Sequence, residues 1–229
     1  MKNEFDQPIG QTLETWKSAK TPSKVKIVGS YSILEPLDPF THAKNLFELL
    51  HTNNSSWTYL PYGPFDTYED FYFWLMGMAN SDDTFLYTIL DTESERPLGI
   101  AGYSKITPKH GVIEVGHLHF SSLLKKTPAA TEAMYLMMHN AFENLGYRRY
   151  EWKCDSLNQP SRNAALRLGF KFEGLFRQHI IYKNRNRDTA WYSIIECEWA
   201  DLKSKFQKWL NPNNFDIHGN QILSLREIE

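Results

Sequence analysis

The chain has 229 residues and little cysteine, and neither cysteine is placed for a bridge or a metal. Cys154 and Cys197 stand far apart with no CxxC partner. This pattern excludes a disulfide-stapled scaffold and points to a reducing compartment, with the cytoplasm as the expected location. The expected state is two buried free thiols. His139, His179 and His218 show no metal-ligand spacing with either cysteine, so no metal is expected. No apolar run is long enough to span a bilayer, and the first 24 residues lack the apolar core of a signal segment, so no membrane partner is expected. One-sided charge is also missing. Lys and Arg number 25 against 27 Asp and Glu, and a net charge of -2 gives nucleic acid no general attraction. There is no GxSxG nucleophile elbow.

What is there is an aromatic-rich globular pattern. Aromatics make up 14% of the chain, enough for a thick core or an apolar cleft. Residues 1–24 read as a polar arm, 25–199 as one domain, and 200–229 as a C-terminal helix and tail. Val25, Ile27, Tyr31 and Ile33 alternate with polar neighbours as in a half-buried strand. Asp38-Pro39 starts a helix, and Asp66 with Glu69 forms a capping-box pattern for a second. Strands are expected over 85–90, 98–103 and 112–120. Ala130, Met134, Met137, Met138, Ala141, Phe142 and Leu145 then share one helical face, which Gly146 ends. A strand over 148–153 precedes a helix capped by Asn158, with Pro160 in its first turn and Gly169 as its stop. Two strands, 170–176 and 189–195, flank a polar tip at 183–188. Trp199, Leu202, Phe206 and Trp209 mark a last helix. Strands alternating with helices predict an α/β (α+β) fold, a mixed sheet packed with helices.

Two helix starts attract attention. Lys125-Lys126-Thr127-Pro128-Ala129-Ala130 opens the first of them. A helix N-terminus carries unpaired N–H groups and partial positive charge, which suit a pyrophosphate. Lys126, Thr127, Ala129, Ala130 and Thr131 can each offer an amide, and Lys125 and Lys126 add charge. The other reading is a solvated basic turn before a core helix. Asn158-Gln159-Pro160-Ser161 opens the second helix, and Leu168-Gly169-Phe170 closes it.

Taken together, these segments resemble the GNAT (GCN5-related) acyl-CoA-dependent N-acyltransferases, in the branch that includes the ribosomal-protein N-terminal acetyltransferases. Ile113-Glu114-Val115-Gly116 resembles the family's fourth strand, Ala130-Thr131-Glu132-Ala133 the opening of its cofactor helix, and Asn158, Ser161 and Gly169-Phe170 its Asn-x-x-Ser…Gly-Phe element. The resemblance covers roughly residues 25–199. It implies a GNAT fold whose sheet splays between strands 4 and 5, acetyl-CoA as co-substrate, and acetyl transfer to a primary amine of a small molecule, protein or peptide. It also implies that residues 117–120, including Leu118 and Phe120, pair with the pantetheine arm. Asn158 then binds that arm, or serves as a plain helix cap. The loop departs from the family's Gln/Arg-x-x-Gly-x-Gly/Ala. Lys125 takes the first place and Pro128 the glycine place, which removes one amide donor.

Acetyl transfer needs an amine stripped of its proton, a polarised carbonyl and a leaving thiolate. A carboxylate works as base when partial burial raises its pKa. Glu114 is the first candidate, and also reads as one end of an internal salt bridge. His117 is the alternative base. Strict alternation puts His117 and His119 on the face opposite Glu114, unless a bulge intervenes. Ala165 stands where many family members carry a tyrosine acid, which leaves Ser161 or water to protonate the thiolate. The Leu118 N–H is the candidate oxyanion donor. The aromatic run from Trp57 to Trp74 contains candidate walls for the acceptor, in a monomer or homodimer. The alternative function is a non-catalytic acyl-CoA-binding module.

Overall fold

The computed structural model describes residues 1–228. Its elements follow in the order β1 (Ile27–Val28), β2 (Ser32–Pro36), α1 (Pro39–Leu50), α2 (Tyr68–Ala79), β3 (Thr84–Asp91), β4 (Pro97–Thr107), β5 (Val112–Phe120), α3 (Pro128–His139), β6 (Arg149–Asp155), α4 (Gln159–Arg167), β7 (Lys171–Tyr182), β8 (Arg185–Ile195) and α5 (Glu196–Trp209). The strands form one sheet in the order β1-β2-β3-β4-β5-β6-β8-β7. Neighbours are antiparallel except β5 and β6, which are parallel and need the crossover that α3 provides.

Alternation along β3 and β4 feeds a core on each face of this sheet. Tyr87, Ile89, Ala101 and Tyr103 pack with Met134, Met137 and Met138 of α3 and Phe206 of α5. Leu86 and Ile100 pack instead with Leu46 of α1, Leu75 of α2 and Trp57 between those helices. Thus α1 and α2 cover one face, and α3 and α5 the other. Mixed α/β architecture with helices on both faces is what the sequence pattern predicts.

The sequence around α3 explains its limits. Thr127 Oγ1 accepts from the Ala130 amide at 3.2 Å, and Pro128 fills the first helical position. One π turn over Asn140–Asn144 ends the helix, and Gly146 at φ 79° redirects the chain.

Four local expectations change. The alternation from Val25 to Ile33 is a tight hairpin, not one strand, because Glu132 pulls its turn onto α3. Glu132 Oε1 accepts from Ser30 N at 2.8 Å, while Oε2 accepts from Tyr31 N at 2.6 Å and Ser32 N at 2.7 Å. A Cβ on Gly29 would collide with that carboxylate. The cap of α2 lies one residue later than expected, at Thr67, whose Oγ1 accepts from Asp70 N at 3.1 Å. The last hairpin is longer, because Lys183 and Asn184, at φ 49° and 57°, make a two-residue turn joining Tyr182 to Arg185. Of the two thiols only Cys154 is buried, and Cys197 is exposed in the first turn of α5.

The terminal segments lie against the domain. Trp16 Nε1 donates to Lys109 O at 3.1 Å, and Trp209, Leu225 and Ile228 belong to the α3-face core. Among the described residues, no helix is long and apolar enough to cross a membrane, and no group of three or more His, Cys, Asp or Glu is placed to hold a metal ion.

Candidate active site

The parallel pairing of β5 and β6 stops midway. It runs from Val112 with Arg149 to Val115 with Trp152 and no further. Beyond that point β6 pairs only with β8, and β5 only with β4. Residues 116–120 of β5 therefore present an edge with no strand partner on the β6 side. These are the strands that correspond to the fourth and fifth of the family pattern, β1 being a short addition.

A bulge interrupts β5 at this edge. Gly116 pairs with Gly102 and His119 with Ile100, so His117 and Leu118 together oppose Ala101. His117 takes φ 54°. The bulge resets the alternation. Ile113 and Val115 face the α3 core, and Leu118 and Phe120 pack against that same core. His117 and His119 turn to the α1/α2 face, the face of Glu114, contrary to strict alternation.

Glu114 is largely buried and ion-paired. Its Oε2 lies 2.8 Å from Lys153 Nζ, which is also 2.8 Å from Glu151 Oε2 and stands over the Trp191 ring at 3.9 Å. Glu151 has a second cation, since its Oε1 accepts from Arg149 Nε at 2.7 Å. Among the described residues Glu114 has no second ion pair, Arg187 acting on it only through space, and its Oε1 takes no hydrogen bond. Burial raises the Glu114 pKa above the usual carboxylate value, and the Lys153 ammonium only partly opposes this.

The histidines are neutral. Burial draws His117 down to about 4, and its Nδ1 lies 2.9 Å from the Tyr62 hydroxyl. The Tyr62 phenol is pushed far above its ordinary value by the same desolvation. His119 falls to about 3 through burial and the nearby Lys125, and its Nε2 is 2.8 Å from Ser56 Oγ. Trp57, Tyr62, Phe65 and Trp74 pack ring against ring beside them, Tyr62 and Trp74 at 4.5 Å between centroids. The hairpin turn latches onto this loop. Lys183 Nζ donates to Trp57 O at 2.8 Å, and Arg185 donates to Thr58 O at 2.6 Å. The polar tip expected at 183–188 thus ties the last hairpin to the loop between α1 and α2.

At the end of β5 the chain turns through Lys125 and Lys126 into α3. Two of the five amides counted in the sequence are engaged internally, Thr127 N with Leu124 O at 3.3 Å and Ala130 N with Thr127 Oγ1. The amides of Lys126 and Ala129 have no acceptor among the described residues. The Thr131 side chain is buried and accepts from Arg167 at 3.1 Å. On the other side of the gap, Asn158 Oδ1 caps α4 by accepting from Ser161 N at 3.2 Å, and its amide nitrogen has no partner among the described residues. Ser161 Oγ accepts from Trp152 Nε1 at 3.0 Å. The sequence marked Glu114, His117, Asn158 and Ser161. It gave no sign of Lys153, of the Tyr62 hydroxyl as a histidine partner, or of the Lys183 latch.

Parted parallel strands, an adjoining helix start and a buried carboxylate on the sheet face just before the strands part define an acyl-transfer fold. Over residues 33–171 the chain matches the family model of the acetyltransferase (GNAT) domain, and it belongs to that family. Membership implies acetyl transfer from acetyl-CoA. A GCN5-related N-acetyltransferase from Brucella melitensis is 42% identical with a TM-score of 0.92, over 94% of this chain and 99% of that one. A protein of Chromobacterium violaceum assigned to the GNAT acetyltransferases is 43% identical with a TM-score of 0.81, over 84% of this chain and 97% of that one. The Microcin C7 self-immunity acetyltransferase MccE, solved with acetyl-CoA and AMP, is 17% identical with a TM-score of 0.63, over 73% and 93% of the two chains, a likeness of fold. No curated protein matches the chain.

Proposed function

We propose that this acetyltransferase carries an acetyl group from acetyl-CoA to a primary amine, of a small molecule or of a protein or peptide, by direct attack within a ternary complex. The observation that carries the proposal is the unpaired edge of residues 116–120 on the face of a carboxylate, Glu114, whose second oxygen is free. Backbone groups of that edge need partners, and an extended amide-bearing chain supplies them. The amides of Lys126 and Ala129, with the Lys125 and Lys126 charges, suit the diphosphate of such a ligand. Pro128 contributes no donor, so the grip is built from fewer amides than a glycine would allow.

When bound, acetyl-CoA supplies the activated thioester. Glu114 accepts the proton of the incoming ammonium at Oε1, while Lys153 holds Oε2 and keeps the side chain aimed. Its burial-raised pKa suits this better than the depressed pKa of His117, because a base works best near ambient pH. His117 and Tyr62 instead form a neutral wall. Tyr62 and Trp74, only partly buried, stabilise the acceptor's cation before deprotonation through their ring faces. The Leu118 N–H polarises the carbonyl. Asn158, through its free amide nitrogen, holds the pantetheine arm. Ser161 keeps an O–H proton for the departing thiolate.

The test is CoA release from acetyl-CoA, followed with a thiol-reactive dye across pooled amines. Release that requires an amine and is lost in Glu114→Gln supports the proposal. Binding of acetyl-CoA without release on any amine would reduce the protein to an acyl-CoA-binding module.

A further inference from the structure

The tip of the last hairpin gathers positive charge without a counter-ion. Lys183, Arg185 and Arg187 stand there at alternate positions. Among the described residues none of the three pairs with a carboxylate. Lys183 and Arg185 donate instead to the carbonyls of Trp57 and Thr58. Arg187 donates from Nε to Thr189 Oγ1 at 3.0 Å, and its two terminal nitrogens have no partner among the described residues. The Arg185 and Arg187 guanidiniums both approach the Tyr182 ring, at 5.2 and 6.0 Å. The carboxylates of this region are engaged elsewhere. Asp155 Oδ2 accepts from the Tyr182 hydroxyl at 2.8 Å, and Asp188 Oδ1 accepts from Gln178 N and Asn186 Nδ2. Burial and the like charge of Arg185 both hold the Lys183 pKa below its ordinary value. Cations drawn together and partly out of water normally have an anion among them.

The cluster stands on the acceptor side of the site. Ala190 and Tyr192 belong to the α3-face core, so Arg187, Thr189 and Trp191 lie on the opposite face, that of Glu114. Trp191 lies under the Lys153 ammonium at 3.9 Å, and that ammonium is 2.8 Å from Glu114. Two positions along β8 from Trp191, Thr189 holds Arg187, which acts on Glu114 through space. The loop that the tip latches onto runs from Trp57 to Tyr62, in the wall assigned to the acceptor. One end of this side thus carries a carboxylate suited to an ammonium, and the other carries unpaired guanidinium N–H groups.

We propose that the acceptor is a bifunctional amine, whose ammonium meets Glu114 while an oxyanion at its other end, a carboxylate or a phosphate, is held by Arg187 and Arg185. The proposal rests on the acetyl-transfer reading above and deepens it by naming the class of acceptor. A planar guanidinium fork matches two oxygens of either anion, and charge-assisted hydrogen bonds are the strong ones. Anchoring the far end also fixes the amine before attack. Arg187 is a specificity-determining residue in this arrangement and moves no proton.

Matched pairs of amines in the CoA-release assay test the proposal. Serine against ethanolamine and lysine against 1,5-diaminopentane report a carboxylate, and phosphoethanolamine against ethanolamine reports a phosphate. In at least one pair the anionic member should have the higher kcat/KM, by about tenfold or more. Arg187→Gln should bring that ratio down toward one, mainly by raising KM for the anionic amine, and Arg187→Lys should restore part of it. The wild type alone gives a second readout that needs no variant to fold. The matching anion without an amine, 3-hydroxypropionate or ethyl phosphate, should inhibit competitively against the acceptor and not against acetyl-CoA. Release of CoA with the uncharged member equal or preferred in every pair would overturn the proposal and leave acetyl transfer standing. So would a preference for the anion that a folded Arg187→Gln keeps in full. Release on no amine of any kind would remove the acetyl-transfer reading itself, and this site with it.

Discussion

Lys153 Nζ lies 2.8 Å from Glu114 Oε2 and 2.8 Å from Glu151 Oε2, one ammonium between two carboxylates. The sharing is unequal. Glu151 also holds Arg149, whereas Glu114 has Lys153 as its one ion-pair partner among the described residues, feels Arg187 only through space, and keeps one oxygen free. A carboxylate that is desolvated, half-compensated and open on one side is a stronger base than a solvated one. Replacing Glu114 by Gln keeps the shape and removes the basicity. Turnover should fall about 100-fold or more at saturating substrates, with CoA affinity unchanged by calorimetry. An unchanged turnover number would exclude Glu114 as the base.

Lys153 sets where the base titrates. Its charge opposes the burial that raises Glu114, so Lys153→Met should raise the Glu114 pKa further. Activity requires the deprotonated carboxylate and is lost as pH falls through its pKa. The acid limb of kcat/KM should therefore move to higher pH in Lys153→Met. A limb that stays in place, in a folded variant, would show that another group governs it.

The Tyr62 hydroxyl is the only hydrogen-bond partner of the His117 ring among the described residues, at 2.9 Å. Tyr62→Phe leaves a buried imidazole nitrogen unsatisfied, at a cost of about 1–3 kcal/mol in stability. Because Tyr62 faces the acceptor side, KM for the amine should rise while CoA affinity holds. A change in CoA affinity alone would move Tyr62 out of the acceptor wall.

Glu132 is a structural counterpart to Glu114. Three amides of the β1–β2 turn converge on its carboxylate. Glu132→Gln turns N–H donors toward those amides and should cost about 2–4 kcal/mol in urea unfolding. A loss below about 0.5 kcal/mol would mean that water replaces the carboxylate freely.

Legibility in the sequence followed distance along the chain. Asn158 as a cap, Pro160 in the first turn and Gly146 as a stop are local signals, and each is found where the residue type predicts it. The same holds for the α3 face of Met134, Met137 and Met138. Glu132 was legible as part of a motif but not as an anchor, because its partners lie about 100 residues earlier. Lys153 read only as a strand residue, since its partner Glu114 is 39 positions away and becomes a neighbour only through the parallel β5–β6 pairing. The bulge at His117 escaped periodicity because it occurs at a residue with a side chain, at φ 54°, where no glycine marks the positive angle. The two-residue turn at Lys183 and Asn184 was hidden inside a polar run that sequence alone could not divide.

Amide hydrogen exchange with and without acetyl-CoA probes the gap between β5 and β6 most directly. Binding should slow exchange across residues 116–120 and at Lys126 and Ala129, and leave the interior strand β3 unchanged. Saturating acetyl-CoA with no added protection at 116–120 would contradict a cofactor paired to that edge.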